Sequence, residues 1–420
     1  MKFKPNPLLY GANKDFYSSF KLTITMRDSV DHKVLSHAVT VAMTRYPYFS
    51  VTPEKDGNSI MLSFNTKPVP VFNYDYCAVL GSDECNGHLV FFACEENRIF
   101  LNASHFIADG MGIDPLLKTV LYLYAKETYG IDGLQSARIC MPGDSVAEAE
   151  YAYPFPKTPF EIDDALPLRK TPHTVYSLNS DLFDKDGMYA YHLHIPQRDM
   201  MVMASPLDGS PVSFLTVMMY RAVCAVDEAL DHTVVAHVQH QYRQALGTPF
   251  NRHSLVSYIS TALPSRVKKR STEQLNTILR GQIIIGSEPN EDLKAVNRIL
   301  NTLPSDPNSS LTDKKEAMQK YVERSIEGKT FGISYVGKMD WCGLDKYVKD
   351  IHAYIGEKHT KNMLLIEVMT IGEDFTINLM QSGRGRAYVN AFMEQLRLAN
   401  IPASLVGEER YTLCDTVIPE

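Results

Sequence analysis

The chain has a single tryptophan, Trp341, and seven cysteines with no Cys-x-x-Cys pair among them. An odd number of cysteines does not suit a closed disulfide framework, and two-by-two zinc spacing is missing, so reduced thiols are expected. Apolar runs are short. None approaches the ~20 residues of a membrane span. The most apolar helix-like stretch, SPVSFLTVMMYRAVCAVDEAL, carries Arg221, Asp227 and Glu228 and reads as a core helix. The first residues, MKFKPNPLLYGANKDF, lack the apolar segment of a secretory signal, so a cytoplasmic location is expected. Positive charge is not in excess either: the formal net charge is −7, which argues against nucleic acid as a partner. Short-period repeats are absent.

What is present is the composition of a globular protein, 45% hydrophobic and 22% charged over 420 residues. That length exceeds one ordinary core and favours two halves. Residues 16–27 alternate as a strand, and Val34, Leu35, Ala38, Val39, Ala42, Met43 and Tyr46 fall on one face of a helix that Pro47 ends. Residues 59–73 and 88–102 read as strands. Residues 140–175, rich in proline and acid, read as a long connection. The expected division is a lobe over 1–160, a linker over 161–180 and a lobe over 181–420. In the second lobe YAYHLHIP and TVVAHVQHQYR read as strands, and Ser210-Pro211 as the start of a helix. Ser271 and Gln274 have capping-box spacing, and NMLLIEVMTIG with FTINLMQS reads as a hairpin about Gly372 to Asp374.

The stretch NASHFIADGMG, residues 102–112, joins a strand to an amphipathic helix. His105 and Asp109 lie four apart at that junction, a position where α/β proteins often keep their chemistry. A neutral imidazole there can take a proton from a hydroxyl or amine near neutral pH. A carboxylate can brace the turn directly or through an arginine, and Gly110 and Gly112 permit a tight backbone. The spacing alone recurs often by chance. Other features read as structural. His237 and His240 of one strand point to opposite faces and have no third ligand, so no metal site is expected. Gly143-Asp144-Ser145 resembles an esterase signature without its strand. Arg266 to Arg270, RVKKR, is either a solvated run or a contact for phosphates or an acidic carrier. Trp341 is expected in a core, and the 23 tyrosines and 18 methionines suit an adaptable apolar tunnel without locating it.

SHFIADGMG resembles the His-His-x-x-x-Asp-Gly motif of the chloramphenicol acetyltransferase-like superfamily, which includes condensation domains, plant-type acyltransferases and alcohol acetyltransferases. DHKVLSHAVTVAMTRYPYFS is similar to its first helix, AHVQHQYRQAL to a second-half strand ending in arginine, FGISYVGKMDW to the Asn-Tyr-Leu-Gly strand, and INLMQSGRGRAYVNAFMEQLRLANI to its closing strand and helix. The general look is nearest to bacterial alcohol acetyltransferase-like and stand-alone condensation proteins. The resemblance implies an α/β fold of two similar lobes, each a mixed sheet flanked by helices, with an active-site tunnel between them. It implies His105 as general base, with Asp109, Gly110 and Arg243 as structural support and Arg243 as the partner of Asp109. Two positions depart from the pattern: Ser104 replaces the first histidine, and Ser334 stands where the asparagine would be. The implied reaction moves an acyl group from a thioester to a hydroxyl acceptor. No cofactor is bound permanently, and acyl-CoA or an acyl-phosphopantetheine serves as co-substrate. The expected partners are therefore a small-molecule donor and acceptor, with no membrane span. Two alternatives stand beside this. One is a stand-alone condensation enzyme fed by an acyl carrier protein. The other is a non-catalytic relative that only binds in the cleft.

Overall fold

The computed structural model describes residues 2–13, 18–133, 139–162, 174–184, 186–304, 306, 308–356 and 362–420. The expected linker at 161–180 therefore lies mostly outside the described residues. The first half runs β1 (Lys2–Phe3), β2 (Ser19–Met26), α1 (His32–Met43), β3 (Val51–Asp56), β4 (Ser59–Phe64), β5 (Val71–Phe72), β6 (Val90–Glu95), β7 (Arg98–Ser104), α2 (Gly110–Tyr129) and α3 (Glu148–Tyr151). The second opens with β8 (Met188–Pro196), α4 (Gln197–Ala204), α5 (Pro211–Val226), β9 (Val234–Gln241), β10 (Val256–Leu263), α6 (Thr272–Gly286), α7 (Pro289–Thr302) and α8 (Leu311–Ile326). It closes with β11 (Phe331–Tyr335), β12 (Val348–Tyr354), β13 (Leu364–Ile371), β14 (Asp374–Gln381), α9 (Ala387–Leu398) and β15 (Ser404–Tyr411).

Local signals place most of these boundaries. Asp31 caps α1 by accepting from the backbone N–H groups of Lys33 and Val34 at 2.7 and 3.2 Å, and the face that buries is Leu35, Ala38, Val39, Ala42 and Met43. Ser210 with Pro211 starts α5, and Ser271 with Gln274 forms the capping box of α6. β13 and β14 pair directly through Ile371 and Asp374 as the expected hairpin. Two strand readings need correction. Residues 88–102 form an antiparallel hairpin, β6 and β7, turning at Glu96, which takes a left-handed backbone at φ 53°. Residues 59–73 split into β4 and β5, which belong to different sheets. The polar stretches at residues 95–98 and 65–68 mark the two breaks.

Two mixed sheets carry the fold, with a small third sheet in the order β1-β4-β3 beside them. The five-stranded sheet has the order β12-β2-β7-β6-β5, and the seven-stranded sheet β10-β9-β11-β13-β14-β8-β15. β13 is buried along its whole length, as expected of a strand covered on both faces. Leu364, Ile366 and Val368 pack with α5 and α9, whereas Met369 and Ile371 join the core of the first half. β12 comes late in the second half yet pairs with β2, so the second half completes the sheet of the first. Asn378 and Thr376 of β14 bind β12 carbonyls at 2.8 and 3.0 Å, tying the sheets together. Trp341 is buried in the first core and donates to Thr370 O at 2.8 Å. No single helix among the described residues is long and apolar enough to cross a membrane.

Candidate active site

β7 delivers His105. Its last residue is Ser104, and the chain then turns through His105, Phe106 and Ile107 before α2 begins. The His105 N–H donates to Ser18 O at 2.6 Å, and its ring meets Phe20 edge-on at 5.3 Å between centroids. The turn therefore hangs on β2, the neighbouring strand. His105 Nδ1 lies 3.1 Å from Ser254 Oγ, so one ring nitrogen is held, and among the described residues no hydrogen bond meets Nε2. Burial lowers the His105 pKa from the ordinary imidazole value, and the charge of Asp109 offsets this in part. The shift favours the neutral ring.

Asp109 is engaged with other partners. It is the N-cap of α2, and its Oδ1 accepts from the Gly112 N–H at 2.8 Å. The same oxygen accepts from Arg243 Nη2 at 2.7 Å, and Oδ2 accepts from the Leu255 N–H at 2.9 Å. Both partners of this ion pair are buried, with side chains 2% and 3% exposed. Arg243 stands just beyond β9 and also donates to Asn251 O through Nε at 2.9 Å and to His253 O through Nη2 at 2.7 Å. The pair therefore fastens the motif of the first half to the 242–255 loop of the second. Of the residues singled out in the sequence, His105, Asp109 and Arg243 come together here.

The two glycines differ. A Cβ on Gly112 would lie 2.2 Å from Arg252 O, whereas one on Gly110 would lie 4.0 Å from Val336 Cγ1. Gly112 is the residue that the close approach of the two halves requires. Gly110 lies against Val336, just beyond the end of β11.

Several site residues carry no signal in the sequence. Ser254, which holds the His105 ring, is itself held by Asn6, whose Nδ2 donates to Ser254 O at 2.7 Å across 248 residues. Asn251 Nδ2 donates to Ala152 O at 2.7 Å, and the Arg252 N–H to Glu150 O at 2.8 Å, which docks the loop on α3. The Glu150 carboxylate accepts from both terminal nitrogens of Arg45 and, at 2.6 Å, from Tyr48 OH, all three residues being buried. That chain of contacts leads back to α1. Arg45 and Tyr48 belong to the arginine, aromatic and proline tail that resembles the superfamily, and this contact gives the tail a physical purpose. The other contacts join residues 99 to 248 apart, beyond the reach of any local pattern.

The remaining sequence features fall elsewhere. His237 stacks on Tyr258 at 3.9 Å, with burial pressing its pKa to about 3, and His240 points the other way, to Asp292 at 3.2 Å. Arg266 to Arg270 follow the far end of β10, whose eight residues span about 27 Å at ~3.4 Å per residue, whereas Ser254 precedes its near end. Gly143-Asp144-Ser145 lies in a turn without a preceding strand. Among the described residues no group of three or more His, Cys, Asp or Glu side chains is placed to hold a metal ion.

No protein-family model matches the sequence, and no curated protein matches it. Solved structures do match in three dimensions. TRI101 of F. sporotrichioides, complexed with coenzyme A and T-2, is similar at a TM-score of 0.61 and 9% identity over 97% of this chain and 100% of its own. TRI101 of F. graminearum, complexed with coenzyme A and deoxynivalenol, gives 0.59 at 11% identity over 95% and 97%. The first condensation domain of the CDA synthetase gives 0.58 at 11% identity over 93% of each chain. Mixed sheets, flanking helices and whole-chain likeness together establish that this protein has the two-lobed fold of the chloramphenicol acetyltransferase-like acyltransferases and condensation domains.

Proposed function

We propose that the protein is an acyltransferase that moves an acyl group from a thioester, acyl-CoA, to a hydroxyl acceptor, with His105 as general base. One observation carries the reading. A half-buried imidazole whose pKa is lowered has one nitrogen anchored by Ser254 and, among the described residues, no hydrogen bond at the other, while the neighbouring carboxylate is committed to Arg243 and so braces the turn. With Ser254 Oγ accepting from Nδ1–H, Nε2 presents its lone pair to the cleft between the lobes.

The acceptor hydroxyl gives its proton to Nε2 as its oxygen attacks the thioester carbonyl. The tetrahedral intermediate then collapses with cleavage of the carbon–sulfur bond, and the imidazolium returns the proton to the departing thiolate. A histidine base contributes typically ~10²–10⁴-fold, and holding both substrates in the cleft supplies much of the rest. The fold match to proteins complexed with coenzyme A supports a coenzyme A thioester as donor.

The test offers the same acyl group on coenzyme A and on a carrier-bound phosphopantetheine, with pooled alcohols, and follows free thiol. Acceptor-dependent release from acyl-CoA is the expected result. Release from the carrier alone would replace the reading with a stand-alone condensation enzyme. Binding without release from either donor would leave a protein that only holds ligands in the cleft.

A further inference from the structure

The face of the seven-stranded sheet that turns toward the first lobe carries one row of polar side chains. Strand register defines it. Tyr258 of β10 pairs with Gln239 of β9, and Ser334 of β11 follows beside Gln239, one step beyond the Ile333–Val238 pairing. Ser334 pairs with Glu367 of β13, Glu367 with Asn378 of β14, and Asn378 with His192 of β8. Residues paired in this way share a face. A polar row across six strands is unusual beneath a packed lobe, because each polar group there loses water.

Exposure falls from Gln239 inward: Gln239 is exposed, Ser334 half-buried, and Glu367 6% and Asn378 1% exposed. The row therefore reaches solvent at Gln239 and Ser334, and Glu367 is its first buried member inward from them. Val336, two residues beyond Ser334 and on the same side of the chain, is the residue that a Cβ on Gly110 would touch. Glu367 thus lies about 7 Å along the strand direction from the contact between β11 and the motif helix, at ~3.3 Å per residue, and one strand across.

Of the inner members, Asn378 Nδ2 donates to Ala353 O of β12 and His192 Nε2 lies 3.2 Å from Glu409 of β15, while Asn378 Oδ1 and His192 Nδ1 are buried without a partner among the described residues. Glu367 is the carboxyl of the row. Ser334 Oγ donates to its Oε1 at 2.9 Å, and among the described residues no cation or second donor meets the carboxyl. A carboxylate can accept about four hydrogen bonds, and burying one with a single donor is costly. A glutamine would fill the same space without that cost. The under-supplied acceptor, next to the half-exposed Ser334, is the signature of a group completed by a ligand.

We propose that Glu367, steadied by Ser334, recognises the acceptor by receiving a second hydroxyl group set apart from the one acylated, so that diols and polyols are taken in preference to simple alcohols. This rests on the acyltransferase reading for the reaction but not for the binding. Burial pushes the Glu367 carboxyl up to about 7, which lets it act as donor or acceptor toward a hydroxyl near neutral pH. The hydroxyl at risk of acylation sits at His105, and the second lies along β11.

The experiment measures kcat/KM for length-matched mono-alcohols, diols and amino alcohols, using the wild type, Glu367→Gln and Ser334→Ala. In parallel, ligand-observed saturation-transfer NMR follows binding of the same alcohols without donor. The wild type should favour diol over mono-alcohol by about 30-fold, the worth of one hydrogen bond to an ionisable partner. Both variants should lower that ratio to a few-fold. A merely structural role would reduce turnover of all alcohols together and leave the ratio where it was, which would overturn the proposal. So would preference for an amino alcohol over the diol, because the second group recognised would then be a cation. Diol binding that depends on Glu367 in a protein without turnover would uphold the recognition site and defeat the acyltransferase reading. No selective binding in either assay would defeat this proposal by itself.

Discussion

Replacing either motif glycine by alanine should give opposite results. On Gly112 the added methyl meets Arg252 O at 2.2 Å, Arg252 C at 3.0 Å and Ala108 Cβ at 3.3 Å. An ordinary contact there would need about 1 Å more room. Neither backbone can give it cheaply, because the Arg252 N–H is bound to Glu150 O and the adjoining Asn251 and His253 carbonyls are bound by Arg243. Overpacking of this kind costs ~1–3 kcal/mol, and each hydrogen bond broken to relieve it adds ~1 kcal/mol. Gly112→Ala should therefore be destabilised by about 3–4 kcal/mol. Gly110→Ala has a helical backbone with negative φ and a nearest neighbour at 4.0 Å, so its stability should change by less than about 1 kcal/mol. Urea unfolding followed by circular dichroism reads both. A Gly112→Ala protein within 0.5 kcal/mol of wild type would refute the claim that this glycine is the steric seam between the lobes, taking ~0.5 kcal/mol as an ordinary surface effect.

Three further outcomes follow from the same geometry. Removing Asp109 or Arg243 singly leaves the other buried and unpaired, so Asp109→Ala and Arg243→Ala should each cost about 3–5 kcal/mol, while the double variant costs clearly less than their sum; additive costs in a double-mutant cycle would contradict the pairing. Ser254→Ala frees the His105 ring at Nδ1, and kcat should fall about tenfold with KM nearly unchanged, while Ser254→Thr should restore much of it; equal loss in both variants would deny Ser254 its orienting role. Acid should destabilise the fold from about pH 6.5 downward. His253, held at about 4, and His237, at about 3, stay neutral when folded, whereas the unfolded chain takes up protons at the ordinary imidazole value, so stability falls as pH falls through that window. Urea midpoints measured between pH 7 and 4 should decline, and the His237→Gln, His253→Gln double variant should flatten the decline; an unchanged slope would show that other groups set it.

Part of this site is legible in the sequence. His105 and Asp109 stand at a junction between two periodic segments, where alternation gives way to a helical pattern. Arg243 and its pairing with Asp109 come instead from the resemblance to the superfamily. Ser254, Asn251, Asn6 and Glu150 sit in loops or short turns with no period. Their positions depend on how two lobes close on each other, and a single sequence records nothing of that. β12 escapes a sequence reading for a related reason. Its partner β2 lies more than 300 residues earlier, and its own seven residues, VKDIHAY, mix charge into the alternation. Glu367 reads in the sequence as one polar residue in an apolar strand. Only the register across six strands reveals the polar row to which it belongs.

The central claim is that His105 takes the acceptor's proton during acyl transfer, and its most direct test is acceptor-dependent thiol release by wild type and His105→Ala across pH 5 to 9. Wild type should hold a plateau through neutral pH and lose activity only below the ordinary imidazole range, because burial keeps the ring neutral there. The variant should lose about 10²–10⁴-fold in kcat with no acid limb of that origin. Equal rates and the same pH profile in both proteins would contradict the account.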